Sequence, residues 1–136
     1  MNTKIFKSVF MLTIMLVVAL FSSCTKEDVR DDYVGSYRTN LEYVENGQVF
    51  TETYTLTIVK SATNENDIIL NNINGWAGES VRATVSGNAM TIPQQTIQNI
   101  GVSGSGTLNN NVLTFSTMIT QTGGPSINVS QVATKQ

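Results

Sequence analysis

Residues 33–60 read YVGSYRTNLEYV, then ENGQ, then VFTETYTLTIVK, and the fold turns on the Asn46-Gly47 pair between the two runs. Asn-Gly is the favoured centre of a type I′ hairpin turn, because both residues tolerate positive φ. A two-residue turn fixes the register of the strands it joins. Val44 then faces Val49, Tyr43 faces Phe50, Leu41 faces Glu52, Thr39 faces Tyr54, Tyr37 faces Leu56 and Gly35 faces Ile58. Side chains alternate between the faces of a strand. One face of the hairpin therefore gathers Tyr33, Tyr37, Leu41, Tyr43, Phe50, Tyr54, Leu56 and Ile58. The other gathers Arg38, Asn40, Glu42 and the threonines 51, 53, 55 and 57. Turn chemistry and hydrophobic alternation point to the same hairpin.

The same grammar continues downstream. Short strands are expected at Asp67 to Ile73 and Glu79 to Ser86. Gly87-Asn88 leads into Ala89 to Ile92, where Pro93 should end the pairing or mark an edge. The glycine-rich run Gly101 to Asn109 turns at Asn110-Asn111 into Val112 to Gln121, and Gly123-Gly124-Pro125 leads into Ser126 to Thr134. Thr, Val and Ile favour pleated strands, and no segment sustains a helical period. The reading is all-β: an eight-stranded antiparallel meander over 33–136, closing into a barrel and so removing its edges. Alternating glycines opposite Phe115 suit a strand that must bend.

The chain has 136 residues, eight Lys and Arg, ten Asp and Glu, no His and one Cys. Residues 1–23 stand apart from the β pattern. Lys4 and Lys7 precede an apolar run from Val9 to Phe21, about a dozen residues, which suits a signal peptide and is short for a bilayer span. Phe21-Ser22-Ser23-Cys24 follows and resembles the lipobox of bacterial lipoproteins. That resemblance implies cleavage before Cys24 and lipidation of its thiol. Removal of 1–23 leaves six basic against ten acidic side chains. An acidic domain lacks the clustered Lys and Arg that nucleic acid or anionic lipid requires. Residues 24–32 are almost wholly polar and read as a solvated tether. Within them Lys26-Glu27-Asp28 resembles the export signal of surface lipoproteins in some Gram-negative gut bacteria. It implies an outer-membrane lipoprotein exposed at the cell surface.

Val34-Gly35-Ser36-Tyr37 resembles the Gly-x-Trp that opens lipocalin-like barrels, with Tyr in place of Trp. Together with the lipobox, the stalk and a last strand ending near Lys135, the layout resembles the small calycin-like, lipocalin-like lipoproteins of gut anaerobes. The resemblance implies the barrel.

Without His, neither a Ser-His-Asp triad nor an imidazole metal site can be built. Gly101, Gly104 and Gly106 lie in a strand rather than before a helix, so they are no phosphate cradle. No catalytic residue, cofactor or metal ligand is expected. Glu52 is the one acid that alternation places among the rings. It is either a ligand contact or a solvated rim residue. Tyr43, Phe50, Glu52, Tyr54 and Trp76 are the candidate ligand-binding residues, since aromatic rings line sites for sugars and apolar groups. The leading expectation is a non-catalytic module for a small apolar or amphiphilic ligand or a glycan. The alternative is a filled barrel acting as a structural or interaction subunit of an envelope complex.

Overall fold

Asn46 and Gly47 both take left-handed backbone, at φ 52° and 77°, and they join β1 (Gly35–Glu45) to β2 (Gln48–Lys60). The structure is a computed structural model describing residues 26–136; the signal-peptide reading of 1–23 and the lipidation of Cys24 lie outside the described residues. Every pair expected for the first hairpin is present, from Val44 with Val49 to Gly35 with Ile58. The chain continues as β3 (Asp67–Asn71), a single 3-10 turn (Ile73–Gly75), β4 (Ser80–Ser86), β5 (Ala89–Ile97), β6 (Ile100–Asn109), β7 (Val112–Gln121) and β8 (Ser126–Lys135). Each strand pairs with its neighbour in sequence, and β8 returns to β1 to close an eight-stranded antiparallel barrel. This architecture is consistent with a calycin-like fold.

Period-two alternation builds the interior. Tyr37, Leu41, Leu56, Ile58, Leu113 and Ala133 are buried, while their chain neighbours Arg38, Asn40, Thr55 and Thr57 face water. Each fully buried aliphatic or aromatic side chain contributes about 1.5–3 kcal/mol. In β6, Gly106 lies opposite Phe115 as the turn register predicts. A Cβ at Gly104 would meet the Ser116 carbonyl oxygen at 2.2 Å, and one at Gly106 would meet the Phe115 Cβ at 2.4 Å. These glycines allow β6 to run closer to β7 than a side chain would permit.

Pro93 does not end its strand. The β4–β5 pairing does stop short of it, at Thr84 with Thr91, but β5 continues to Ile97 against β6. The continuation uses a bulge between Ile92 and Gln95, where a residue without an N–H is tolerated. The Gln95 side chain replaces the lost ladder: its Oε1 accepts from the Arg82 N–H at 3.0 Å and its Nε2 donates to the Arg82 carbonyl at 2.7 Å.

The barrel ends differ. One end is sealed by α1 (Arg30–Tyr33), with Tyr33 fully buried and the Tyr37 hydroxyl donating to its carbonyl at 2.7 Å. Lys135 crosses over the Tyr37 ring, 5.9 Å from its centroid, and donates to the Asp32 carbonyl. Residues 28–32, read from sequence as solvated tether, are docked here. Asp28 takes a forked contact from the Arg30 guanidinium and a second ion pair from Lys60 at 3.0 Å, and Arg30 also donates to the Ser61 and Asn64 carbonyls. These cations hold the Asp28 carboxyl well below the usual carboxylate range, Arg30 most strongly. Val29, the one apolar residue of the segment, packs on the core.

Asp67 opens β3 almost fully buried, accepting from the Thr84 hydroxyl at 2.7 Å and from Arg82 at 3.0 Å. The Thr84 bond, with Arg82 behind it, lowers its pKa from 3.8. A lowered folded pKa gives stability above the unfolded value that is lost as the pH falls through the folded one. Urea midpoints should therefore decline from about pH 5 downward, and the Asp67→Asn protein should show a flatter decline. An unchanged acid slope in that variant contradicts the assignment.

Candidate functional site

The other end of the barrel is open. It is ringed by the β1–β2, β5–β6 and β7–β8 turns and by the segment joining β3 to β4. A cup of about 280 Å³ lies there. Leu41, Ile100, Ile119, Ile127 and Val129, the inward residues of their strands near the mouth, supply the apolar part of its wall. Tyr43, Glu45, Glu52, Gln121 and Trp76 complete the lining, with Asn74 at the floor.

The floor is a plug carried by the 3-10 turn. Asn72 and Asn74 hold positive φ, 65° and 54°, which asparagine tolerates better than most residues. The turn drives Ile73 and Asn74 into the barrel, where both are buried. Asn74 Oδ1 accepts from Gln131 Nε2 at 2.7 Å and from the Thr117 hydroxyl at 2.9 Å. Gln131 Nε2 also reaches Thr117 Oγ1 at 3.1 Å. The Tyr54 hydroxyl donates to Gln131 Oε1 and accepts from the Asn74 N–H at 3.2 Å. Burial pushes the Tyr54 hydroxyl well above its ordinary pKa of 10.0, so it stays a neutral donor. A polar knot of four side chains thus divides the barrel into a filled lower part and the open cup.

Replacing Gln131 by Ala leaves the Tyr54 hydroxyl and Asn74 Oδ1 short of partners and opens a void beneath the plug. Stranded buried polar groups cost about 1–3 kcal/mol each. The expected result is a fall in Tm of roughly 10–20 °C for a domain of this size. Trp76 emission should shift to the red as the plug loosens. A variant with parental Tm and emission would mean that the knot holds nothing in place.

The five residues singled out from sequence have separate fates. Tyr43, Glu52 and Trp76 line the cup. Tyr54 lies beneath it in the knot. Phe50 keeps the expected inward parity and stacks on Tyr43, with centroids 5.2 Å apart, yet it is 39% exposed and lines no part of the cup. The cause is strand length. β3 pairs with only the last four residues of β2, Thr57 to Lys60, so the tip of the β1–β2 hairpin stands clear of the barrel. Glu52 is exposed for the same reason, a solvated rim residue that still borders the cup. Trp76 is half-buried, packed on the core and bordering both the cup and a neighbouring hollow of about 270 Å³ with Ile97 and Gln98. Lys26 and Glu27 are exposed at the sealed end, while Asp28 is engaged by Arg30 and Lys60.

Sequence reading missed Glu45, Asn74 and Gln131. Glu45 shares the inward parity of Tyr43 but was read as part of the turn. Gln131 carried a usable signal, a polar side chain at an inward position between Val129 and Ala133. No protein-family model matches the chain, and no curated protein matches it either. The geometry defines a small closed antiparallel barrel, plugged inside and cupped at one end.

Proposed function

We propose that this barrel is a non-catalytic binding module whose cup takes a small apolar or amphiphilic ligand, carried on a lipid anchor at Cys24 in an outer-membrane, surface-exposed lipoprotein. The observation that carries the binding reading is the cup: an apolar-walled concavity with a few polar groups, the usual make-up of a ligand site. Its 280 Å³ lies just under the roughly 300 Å³ where drug-sized sites begin, so the ligand is small. Two carboxylates, Glu45 and Glu52, share the lining, as a carboxylate hydrolase would need. Both are exposed, and neither sits in the dry apolar setting that makes a general acid. Binding is therefore preferred to catalysis.

Trp76, the sole tryptophan, reports on the cup directly. Titration with a neutral amphiphile, N-hexylacetamide, should give a saturable blue shift of its emission. The shift should vanish in Ile119→Arg, which puts a cation on the apolar wall. No saturable change in the parent, by fluorescence and by calorimetry, would remove the ligand reading.

A second reading keeps support from the overhanging hairpin. Val44 and Val49 are 57% and 62% exposed, Phe50 is half out of the core, and among the described residues no strand pairs with the free edge of β2 from Gln48 to Leu56. Such an edge can add a strand from a partner. It favours an interaction subunit if the cup proves empty in the titration.

A further inference from the structure

The unpaired stretch of β2 has a defined side and a defined chemistry. Asn72 Nδ2 donates to the Thr55 carbonyl at 2.7 Å, and Thr57 pairs with Asn71 of β3. Odd-numbered residues of β2 therefore turn their main-chain groups toward the β3 side. With a period of two, Val49, Thr51 and Thr53 each present an N–H and a C=O to the free edge, while the even-numbered residues bond β1. Edge strands are normally guarded by Lys, Pro or a bulge. Residues 48–55 contain neither Lys nor Pro, and their register with β1 runs unbroken. Charge gives a second observation. Glu42, Glu45 and Glu52 are exposed at this tip, and residues 39–59 contain no Lys or Arg. Two such tips paired edge to edge would gather three carboxylates from each copy with no base among them, so a second copy of the chain is a poor occupant.

We propose that this edge takes an extended basic segment of a partner protein, added antiparallel as a further strand on residues 49–53. The proposal rests on the overhanging hairpin as a partner site and holds whether or not the cup is filled. Val49, Thr51 and Thr53 form the main-chain ladder to the added strand. Phe50 and Glu52 then fall at non-hydrogen-bonded positions, where facing side chains are closest. The partner residue opposite Glu52 is a Lys or Arg, and the one opposite Phe50 is β-branched, since opposite charges and aromatic–β-branched pairs stabilise facing positions. Asn72 already occupies the Thr55 carbonyl and so limits the ladder at that end.

The probe is acetyl-Thr-Thr-Lys-Thr-Val-Thr-Lys-amide, titrated into the intact protein beside an analogue with Glu at both Lys positions. At low salt the Lys peptide should bind at least about tenfold more tightly than the Glu peptide, and the gap should narrow with added salt. In the Glu52→Gln protein the gap should shrink at least about threefold. Bound peptide should slow amide exchange at Val49, Thr51 and Thr53 by about tenfold or more and leave Phe50 and Glu52 unchanged. Proline at the peptide's central Thr, opposite Thr51, removes an N–H from the ladder and should abolish that protection on the unaltered protein. Equal affinity of the Lys and Glu peptides, or a gap unmoved by Glu52→Gln, overturns the basic partner while leaving the edge a strand site. Binding without the alternating protection overturns strand addition. Self-association of the peptide-free protein that protects the same three amides makes a second copy the occupant and overturns the proposal. Failure of both peptides to bind overturns the edge reading and the proposal together.

Discussion

A Gly104→Val chain should fail to hold its barrel. The added Cβ alone would lie 2.2 Å from the Ser116 carbonyl oxygen and 3.2 Å from the Thr117 Cα, and both are backbone that cannot step aside. Overpacking of a good core costs about 1–3 kcal/mol when side chains can adjust. Here the obstruction is the neighbouring strand, so the cost lies at or beyond the top of that range, against a total stability of roughly 5–15 kcal/mol. β6 and β7 share one of the longest pairings in the molecule, from Ile100 with Gln121 to Asn109 with Val112. Separating them opens the barrel along a seam that borders the cup at Ile100 and Ile119. Circular dichroism and size-exclusion chromatography should show an expanded or aggregated chain. A cooperative transition within a few degrees of the parent would mean that β6 does not approach β7 as described.

The second large effect follows from the proposed anchor. Cys24→Ala should move the protein from the membrane to the soluble fraction. Each buried methylene contributes about 0.8 kcal/mol, one acyl chain is a marginal anchor, and the several chains of a lipoprotein make attachment lasting. Nothing in the described domain replaces them, since its outer face is rich in Thr, Asn and Ser. The docked segment adds a geometric consequence. Asp28 is pinned at the sealed end, and the four residue steps from Cys24 to Asp28 span at most about 14 Å. The sealed end would then rest near the headgroups, with the cup directed away from the membrane. Labelled fatty acid on the Cys24→Ala protein, or its continued sedimentation with membranes, would contradict the anchor.

How much of this was legible follows from which interactions are local. The Asn46-Gly47 turn determines its register by itself, so all of β1–β2 could be written from sequence, and the Asn110-Asn111 turn did the same for β6–β7. Pro93 does close the β4–β5 ladder, as its missing N–H implies, but the run of β5 on to Ile97 was not legible, because it rests on pairing with β6, which a local pattern does not show. Phe50 and Glu52 carry the right parity, but their exposure depends on the shortness of β3, a strand outside their own hairpin. The plug was out of reach for a similar reason. Asn74 meets Thr117 and Gln131 only after the barrel has closed, 43 and 57 residues along the chain. The docking of Asp28 depends on Lys60, which no local pattern connects to it.

Closure of β1 on β8 is what turns inward parity into a cup, because it brings Leu41 and Tyr43 to the same rim as Ile127 and Val129. Nuclear Overhauser spectroscopy of the intact protein tests it most directly. Cross-strand contacts should link Leu41 with Gln131 and Thr39 with Ala133, with slow amide exchange along both strands. Absence of those contacts, with β1 and β8 exchanging as free edges, would leave an open sheet and no cup.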